Sequence, residues 1–286
     1  MPINIRALGS STEHLQEVST RWALAYSASL GLNDECYLDD TQEMGPTVPP
    51  TFCSCLEWCA SLAGRSDVLG LVAEERVGAV HAFQSSEFHG PIRVGRRVRT
   101  LSTITHLRGT SAGGYVVWRF DSQDAQTGEL LVRTHSGSMF RGVSMNGADQ
   151  GVPPQEFSDS GFERSFTRKV SIDAGLPHVY SECAQIWNPI HTERVVALAA
   201  GLPGIILHGS ATWALAGREI VRQHAGGDTS RLRHLAGRFR QPVIPGETIS
   251  VEIGPVRSGR VHFEVRTESS AVAISDGSAL IESETL

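Results

Sequence analysis

The 286-residue chain has no apolar run of the ~18 to 20 residues that a membrane-spanning helix needs. Its first residues, MPINIRALGSSTEH, lack the basic and apolar regions of a secretory leader. Nor is there an excess of positive charge: 25 Lys and Arg against 31 Asp and Glu give a formal charge of -6, which argues against general attraction to nucleic acid or an anionic membrane. The expectation is a soluble, cytoplasmic protein with no nucleic-acid or membrane partner. Cysteine is sparse and odd in number, at five. Cys53, Cys55 and Cys59 form C-x-C-x3-C with no second group of Cys or His at zinc-finger spacing, so small apolar residues on a helix are expected rather than metal ligands. The eleven histidines include no H-E-x-x-H, and the glycines match neither G-x-G-x-x-G after a strand nor G-x4-G-K-[ST]. No metal, dinucleotide fold, phosphate loop or resident cofactor is expected.

What is present begins with enough apolar content, 40%, to bury the core of one large domain or two modest ones. Residues 79 to 89 have the pattern of a strand and are followed by Pro91-Ile-Arg-Val-Gly95, then by alternating stretches near 96 to 109, 114 to 123 and 129 to 141. The pattern recurs: a strand at 231 to 241, Pro242-Val-Ile-Pro-Gly246, then strands near 248 to 256, 260 to 269 and 271 to 283, with Pro242 following Pro91 by 151 residues. Strand-turn-strand patterns also resemble one another by chance, but a duplicated unit is the more economical reading. Each strand set follows a helical stretch. Leu207 to His224 is small-sided, with Gly209, Ser210, Ala211, Ala214 and Gly217, and suits close packing on a sheet; Phe52 to Ala63 is shorter and preceded by Pro49-Pro50. An amphipathic stretch from Ser11 to Leu30 is expected to pack outside. Gly142 to Gly161, rich in Gly, Pro and Ser, has the composition of a linker, dividing the chain into 1–148 and 149–286.

The chemistry concentrates in residues 188 to 209, NPIHTERVVALAAGLPGIILHG. Pro189 fixes its own φ and biases Asn188 to an extended conformation, so His191 should sit on a rigid turn before a short helix from Glu193 to Ala200. A histidine there can act as general base or acid near neutrality, or it can merely cap or pack at the helix start. Gly209 shifts the balance. The first N–H groups of a helix lack internal partners and lie at its positive end, and glycine lets a carbonyl approach them closely. A base and an oxyanion donor are the two parts needed to stabilise an enolate beside a carbonyl.

The run from Tyr180 to Gly209, with W-N-P-I-H, A-A-G-L-P and I-L-H-G, resembles the hydratase-2 motif of the MaoC-like dehydratases, or R-specific enoyl-CoA hydratases. The first half, with V-P-P-T-F at Val48 to Phe52, V-H-A-F-Q-S-S-E-F at Val80 to Phe88, P-I-R-V-G, and G-E-L-L-V-R-T at Gly128 to Thr134, resembles the non-catalytic half of the two-domain members. The resemblance implies an α+β double hot dog: two antiparallel sheets, each wrapping a helix, paired into one. It implies His191 as the catalytic histidine, Asn188 as the residue orienting it and the Gly209 N–H as the donor to the thioester carbonyl. Ile186, Trp187, Tyr180, His208 and Ser210 would shape or bind the substrate, with core packing the better reading for Trp213. The implied substrate is an acyl group on coenzyme A or an acyl carrier protein, in fatty acid or polyketide metabolism, and a homodimer or larger homo-oligomer is implied as well. Arg93, Arg96 and Arg97, or Arg238 and Arg240, are candidates to meet the carrier's phosphates.

One departure is serious: the family's aspartate, five residues before the histidine, falls on Ile186. A hydratase or dehydratase would then work with His191 alone, or with Glu182, Gln185, Tyr180, His81 or Glu87 supplying the second function. The alternatives are related chemistry without a held water, such as thioester hydrolysis or isomerisation, and a non-catalytic module that binds an acyl thioester.

Overall fold

The computed structural model describes residues 2–64, 68–72, 75–76, 79–154 and 162–283. Alternation along the chain becomes strands because one face of each can be buried. In Arg260–Arg266, Val261, Phe263 and Val265 are fully buried while Arg260, His262, Glu264 and Arg266 are partly exposed. The first half runs β1 (Ser11–Glu17), α1 (Thr20–Ser29), α2 (Glu35–Leu38), α3 (Cys53–Gly64), β2 (Ala79–Phe88), β3 (Arg97–Thr110), β4 (Gly113–Asp124), β5 (Leu130–Arg141) and the two-residue β6 (Gln150–Gly151). The second runs β7 (Phe166–Ser171), α4 (Leu176–Ala184), α5 (Arg194–Ala199), α6 (Gly209–His224), β8 (Leu232–Phe239), β9 (Thr248–Ile253), β10 (Arg260–Arg266) and β11 (Val272–Ile281).

The strands form one antiparallel sheet in the order β1-β3-β4-β5-β2-β8-β11-β10-β9-β7, with β6 beside β3. Read outward from its centre, each half repeats the other: β2, β5, β4, β3, β1 on one side and β8, β11, β10, β9, β7 on the other. This is a duplicated α+β unit, the double hot dog arrangement. The halves join through β2 and β8, where Phe83 faces Arg238, Ser85 faces Ala236 and Glu87 faces His234. Both Pro-x-x-x-Gly turns end on a glycine in the left-handed region, Gly95 at φ +73° and Gly246 at φ +96°, which explains the glycine at both positions.

Helix α3 packs on β1 and β3, and α6 on β8, β9 and β11. The small side of α6 brings helix and sheet together closely enough that a Cβ on Gly217 would lie 2.7 Å from Leu235 Cδ2. Trp213 is completely buried in this core. Among the described residues no helix is long and apolar enough to cross a membrane.

Two expectations need correction. The amphipathic stretch Ser11 to Leu30 does not pack outside: its first seven residues alternate and pair with β3 as β1, and a helix begins after Ser19, whose hydroxyl accepts the Trp22 N–H. Its apolar face is core, with Trp22, Ala23 and Tyr26 buried and both aromatic rings edge-on to Phe52. The Gly- and Pro-rich stretch from 142 is also not a free connection over its described part. Val143 is buried, Met145 bridges Ile3, and β6 pairs with His106 and Leu107 of β3. These pairings give its backbone hydrogen bonds that composition could not foretell. Residues 155–161 of that stretch lie outside the described residues.

Candidate active site

Pro189 opens a 3-10 turn, Pro189–His191, and the Asn188 side-chain oxygen accepts the Ile190 N–H at its start at 3.5 Å. The turn carries His191 inward, to 8% exposure. Its Nδ1 lies 2.8 Å from the Ile206 carbonyl oxygen. A carbonyl can only accept, so Nδ1 carries the proton and Nε2 keeps a lone pair, the state a general base needs. Burial lowers the His191 pKa to about 4, with the Ile206 hydrogen bond opposing part of that shift, so the imidazole is neutral across the physiological range.

The His208 ring stacks on His191. Its Nε2 donates to the Ile186 carbonyl at 3.2 Å and lies 3.1 Å from the Ser181 hydroxyl, which leaves Nδ1 unprotonated, buried and without a partner among the described residues. Burial first, and the neighbouring His191 second, push its pKa well down. Ile186 thus contributes its backbone carbonyl to hold His208, while its side chain is part of the main apolar core and of the cavity wall.

Gly209 is the first residue of α6, and the first backbone bond of the helix runs from Thr212 N–H to the His208 carbonyl at 3.0 Å. The N–H groups of Gly209, Ser210 and Ala211 therefore lack partners within the helix and carry the positive end of its dipole. A Cβ on Gly209 would meet the Phe239 ring at 3.3 Å, so the site has no room for a larger residue without movement. Beneath it, buried Tyr180 donates to the Ser210 hydroxyl at 3.3 Å. Burial raises the phenol's pKa, so Tyr180 stays protonated.

His191, Asn188, Gly209, Ile186, His208 and Ser210 all line one cavity of about 270 Å³ between the halves. Tyr180 lies behind Ser210 rather than on its wall, and Trp187 is turned outward, 55% exposed. Of the proposed second groups, His81 lines the cavity; Glu182 and Glu87 are exposed elsewhere, and Gln185 closes α4 in a left-handed conformation away from it. Arg240 reaches the cavity, held by the Ser275 hydroxyl and Asp276, whereas Arg93, Arg96, Arg97 and Arg238 do not line it.

Sequence reasoning missed the opposite wall. Ser54, Glu57, Trp58 and Ser61 line the cavity from α3 at i, i+3, i+4 and i+7, one face of a helix, joined by Gln84 and Ser136 from the sheet. The signal was there in the three polar residues at that spacing, within a stretch read for its cysteines and as a short helix but not for a polar face. Cys53 and Cys55 are buried on the same helix and Cys59 is half-buried, all three as free thiols.

The chain is similar to known proteins along nearly its whole length. Residues 180–276 match the model of the MaoC-like domain, and residues 9–133 match that of the FAS1-like dehydratase domain region. The chain is 28% identical to 3-hydroxyacyl-thioester dehydratase Y of Mycobacterium tuberculosis, over 97% of this chain and 94% of that protein. Its fold matches the crystal structure of a MaoC-like dehydratase from Phytophthora capsici with a TM-score of 0.85 at 21% identity, covering 99% of this chain and 100% of that one. It also matches a Mycobacterium tuberculosis protein described as having a double hot dog fold, with a TM-score of 0.63 at 15% identity over 96% and 95% of the two chains. The second half of the chain is thus similar to the MaoC-like domain and the first to a FAS1-like dehydratase domain region, and the fold they share here is the double hot dog.

Proposed function

We propose that the chain is a hydratase/dehydratase, a lyase that adds water to or removes it from an acyl thioester, with His191 as the proton carrier and the Gly209 N–H as the oxyanion donor. The observation that carries this reading is the pairing, in one cavity, of a buried imidazole whose Nε2 keeps a lone pair and a helix start whose first N–H groups have no partner within the helix. The thioester oxygen sits on the Gly209 N–H, which shares the charge that develops when the α-proton leaves. The relative named as a 3-hydroxyacyl-thioester dehydratase supports that substrate class. The acyl group is carried on coenzyme A or an acyl carrier protein.

With Ile186 in place of the family aspartate, His191 serves both proton steps in this reading. In dehydration, His191 Nε2 takes the proton from C2, and the resulting imidazolium gives it to the C3 hydroxyl as the C3–O bond breaks. The products are the 2-enoyl thioester and water, and the histidine returns to its neutral state. Burial makes this imidazolium a strong acid, which favours the second transfer. A single carrier also requires the proton and the hydroxyl to leave from the same face. The test is incubation with 2-enoyl and 3-hydroxyacyl thioesters while following absorbance of the conjugated enoyl group. Turnover that disappears in His191→Asn is expected; binding without turnover of any of them would make the chain an acyl-thioester binding module instead.

A further inference from the structure

The reaction described above uses one wall of the cavity and leaves the other, which is unusually polar, without a role. Glu57 of α3 is 5% exposed, and both its oxygens are engaged: Oε2 accepts the Gln84 amide at 2.9 Å and Oε1 accepts the Thr134 hydroxyl. The Gln84 carbonyl oxygen faces His81 Nε2 at 3.1 Å, and the same nitrogen lies 3.0 Å from the Ser136 hydroxyl. Glu57 forms no ion pair among the described residues, and its burial raises its pKa. Ser138, also on this wall, has no side-chain hydrogen bond among the described residues.

A hydrocarbon tail pressed against this wall would strip water from the carboxyl, amide, imidazole and hydroxyl groups and offer nothing in exchange. Gln84, Thr134 and the Cys53 thiol give Glu57 three protein donors, and its two oxygens together offer about four acceptor positions, so one stays open to a ligand. A carboxylate on the ligand would be repelled by Glu57. A cation would have to enter a cavity that Arg76, Arg141 and Arg240 also line. A neutral donor fits both constraints.

We propose that the first-half end of the cavity selects an acyl chain bearing a hydroxyl group beyond its reacting carbons, and that Glu57 accepts the hydrogen bond from that hydroxyl. This specificity rests on the acyl-thioester reading of the site.

Saturated acyl-CoA thioesters separate the two ideas, because they have neither the double bond nor the 3-hydroxyl and report binding alone. Titration calorimetry compares a straight-chain acyl-CoA with isomers of equal length carrying a hydroxyl at successive carbons from C5 outward. A carboxyl-terminated chain serves as control. The best hydroxylated isomer is expected to bind roughly 10- to 100-fold more tightly than the plain chain, the range of a hydrogen bond to a charged group. The carboxylated chain is expected to bind most weakly. In Glu57→Leu the preference should fall to about twofold or less, since the acceptor is gone; should that variant not fold, Glu57→Gln is expected to keep only part of it. A plain chain that binds wild type as tightly as every hydroxylated isomer overturns the proposal, as does a preference undiminished in the Glu57 variants. Failure of every thioester to bind overturns the acyl-thioester reading itself, and this inference with it.

Discussion

The imidazole rings of His191 and His208 stack with their centroids 3.7 Å apart and their planes 24° from parallel. Their backbone partners assign them opposite tautomers: His191 protonated on Nδ1 by its bond to Ile206, His208 on Nε2 by its bond to Ile186. A charge on either ring is disfavoured by burial, and on His208 by the neighbouring His191 as well. Both rings are therefore neutral near pH 7.

The first prediction concerns pH. With a His191 pKa near 4, kcat/KM is expected to be flat from about pH 5.5 to 8 and to fall only on the acid side. Stability follows from the same lowered value. An unfolded histidine titrates near 6.5, so between that pH and about 4 the unfolded chain takes a proton that the folded chain refuses. The contribution of His191 is complete above pH 6.5 and is lost as pH falls toward 4, up to ~3 kcal/mol at its limit. Buried His234, also lowered to about 4, acts in the same direction. Urea unfolding at a series of pH values should show His191→Asn with a shallower acid slope than wild type; identical slopes would refute the lowered pKa.

Removing the base is the second prediction. His191→Asn keeps a polar group of similar size, and kcat should drop by ~10² to 10⁴ with the fold intact by circular dichroism. A variant as fast as wild type would exclude His191 from the chemistry.

The third concerns room at the helix start. Gly209→Ala keeps the N–H but puts a methyl 3.3 Å from the Phe239 ring, and kcat is expected to fall roughly tenfold as the thioester oxygen is held off. If crowding is the cause, adding Phe239→Leu should recover part of the loss in steady-state kinetics. No recovery would point to the helix start itself.

Ile186→Asp is the fourth. It places a carboxyl where the family has one, so hydration of a 2-enoyl thioester should become faster. Because Ile186 is 6% exposed and packed in the core, stability should fall by on the order of 2 kcal/mol. A variant that loses stability without gaining rate would show that the site works by a route that does not need the second group.

Tyr180→Phe is the fifth, and it separates support from chemistry. The phenol donates to Ser210 behind the cavity wall, so its loss should cost ~1 kcal/mol in urea unfolding and leave kcat within about twofold. A large fall in kcat at unchanged stability would put the phenol in the reaction.

Much of the architecture was legible in the chain because its signals are local. Alternating apolar residues mark a strand wherever one face is buried, and the two Pro-x-x-x-Gly turns need a left-handed glycine at the same place in each half. Residues 11 to 30 were misjudged because the strand at their start is short and lies at the sheet edge, and because an apolar helix face does not reveal whether it meets the core or the outside. Trp187 was misplaced for a similar reason: sequence gives its neighbours along the chain, not the direction in which a turn points it.

By itself the sequence determined the duplicated unit, the rigid turn under His191, the glycine at the start of α6 and the absence of an acid at position 186, since each depends on residues near one another in the chain. Only the tertiary structure decided that β2 and β8 join the halves, that His208 stacks on His191, and that Glu57, Gln84 and Ser136 face them across the cavity. Those relations link residues up to about 150 positions apart, and they exist because burying both helices against one continuous sheet leaves a cavity lined by one face of α3 and the start of α6.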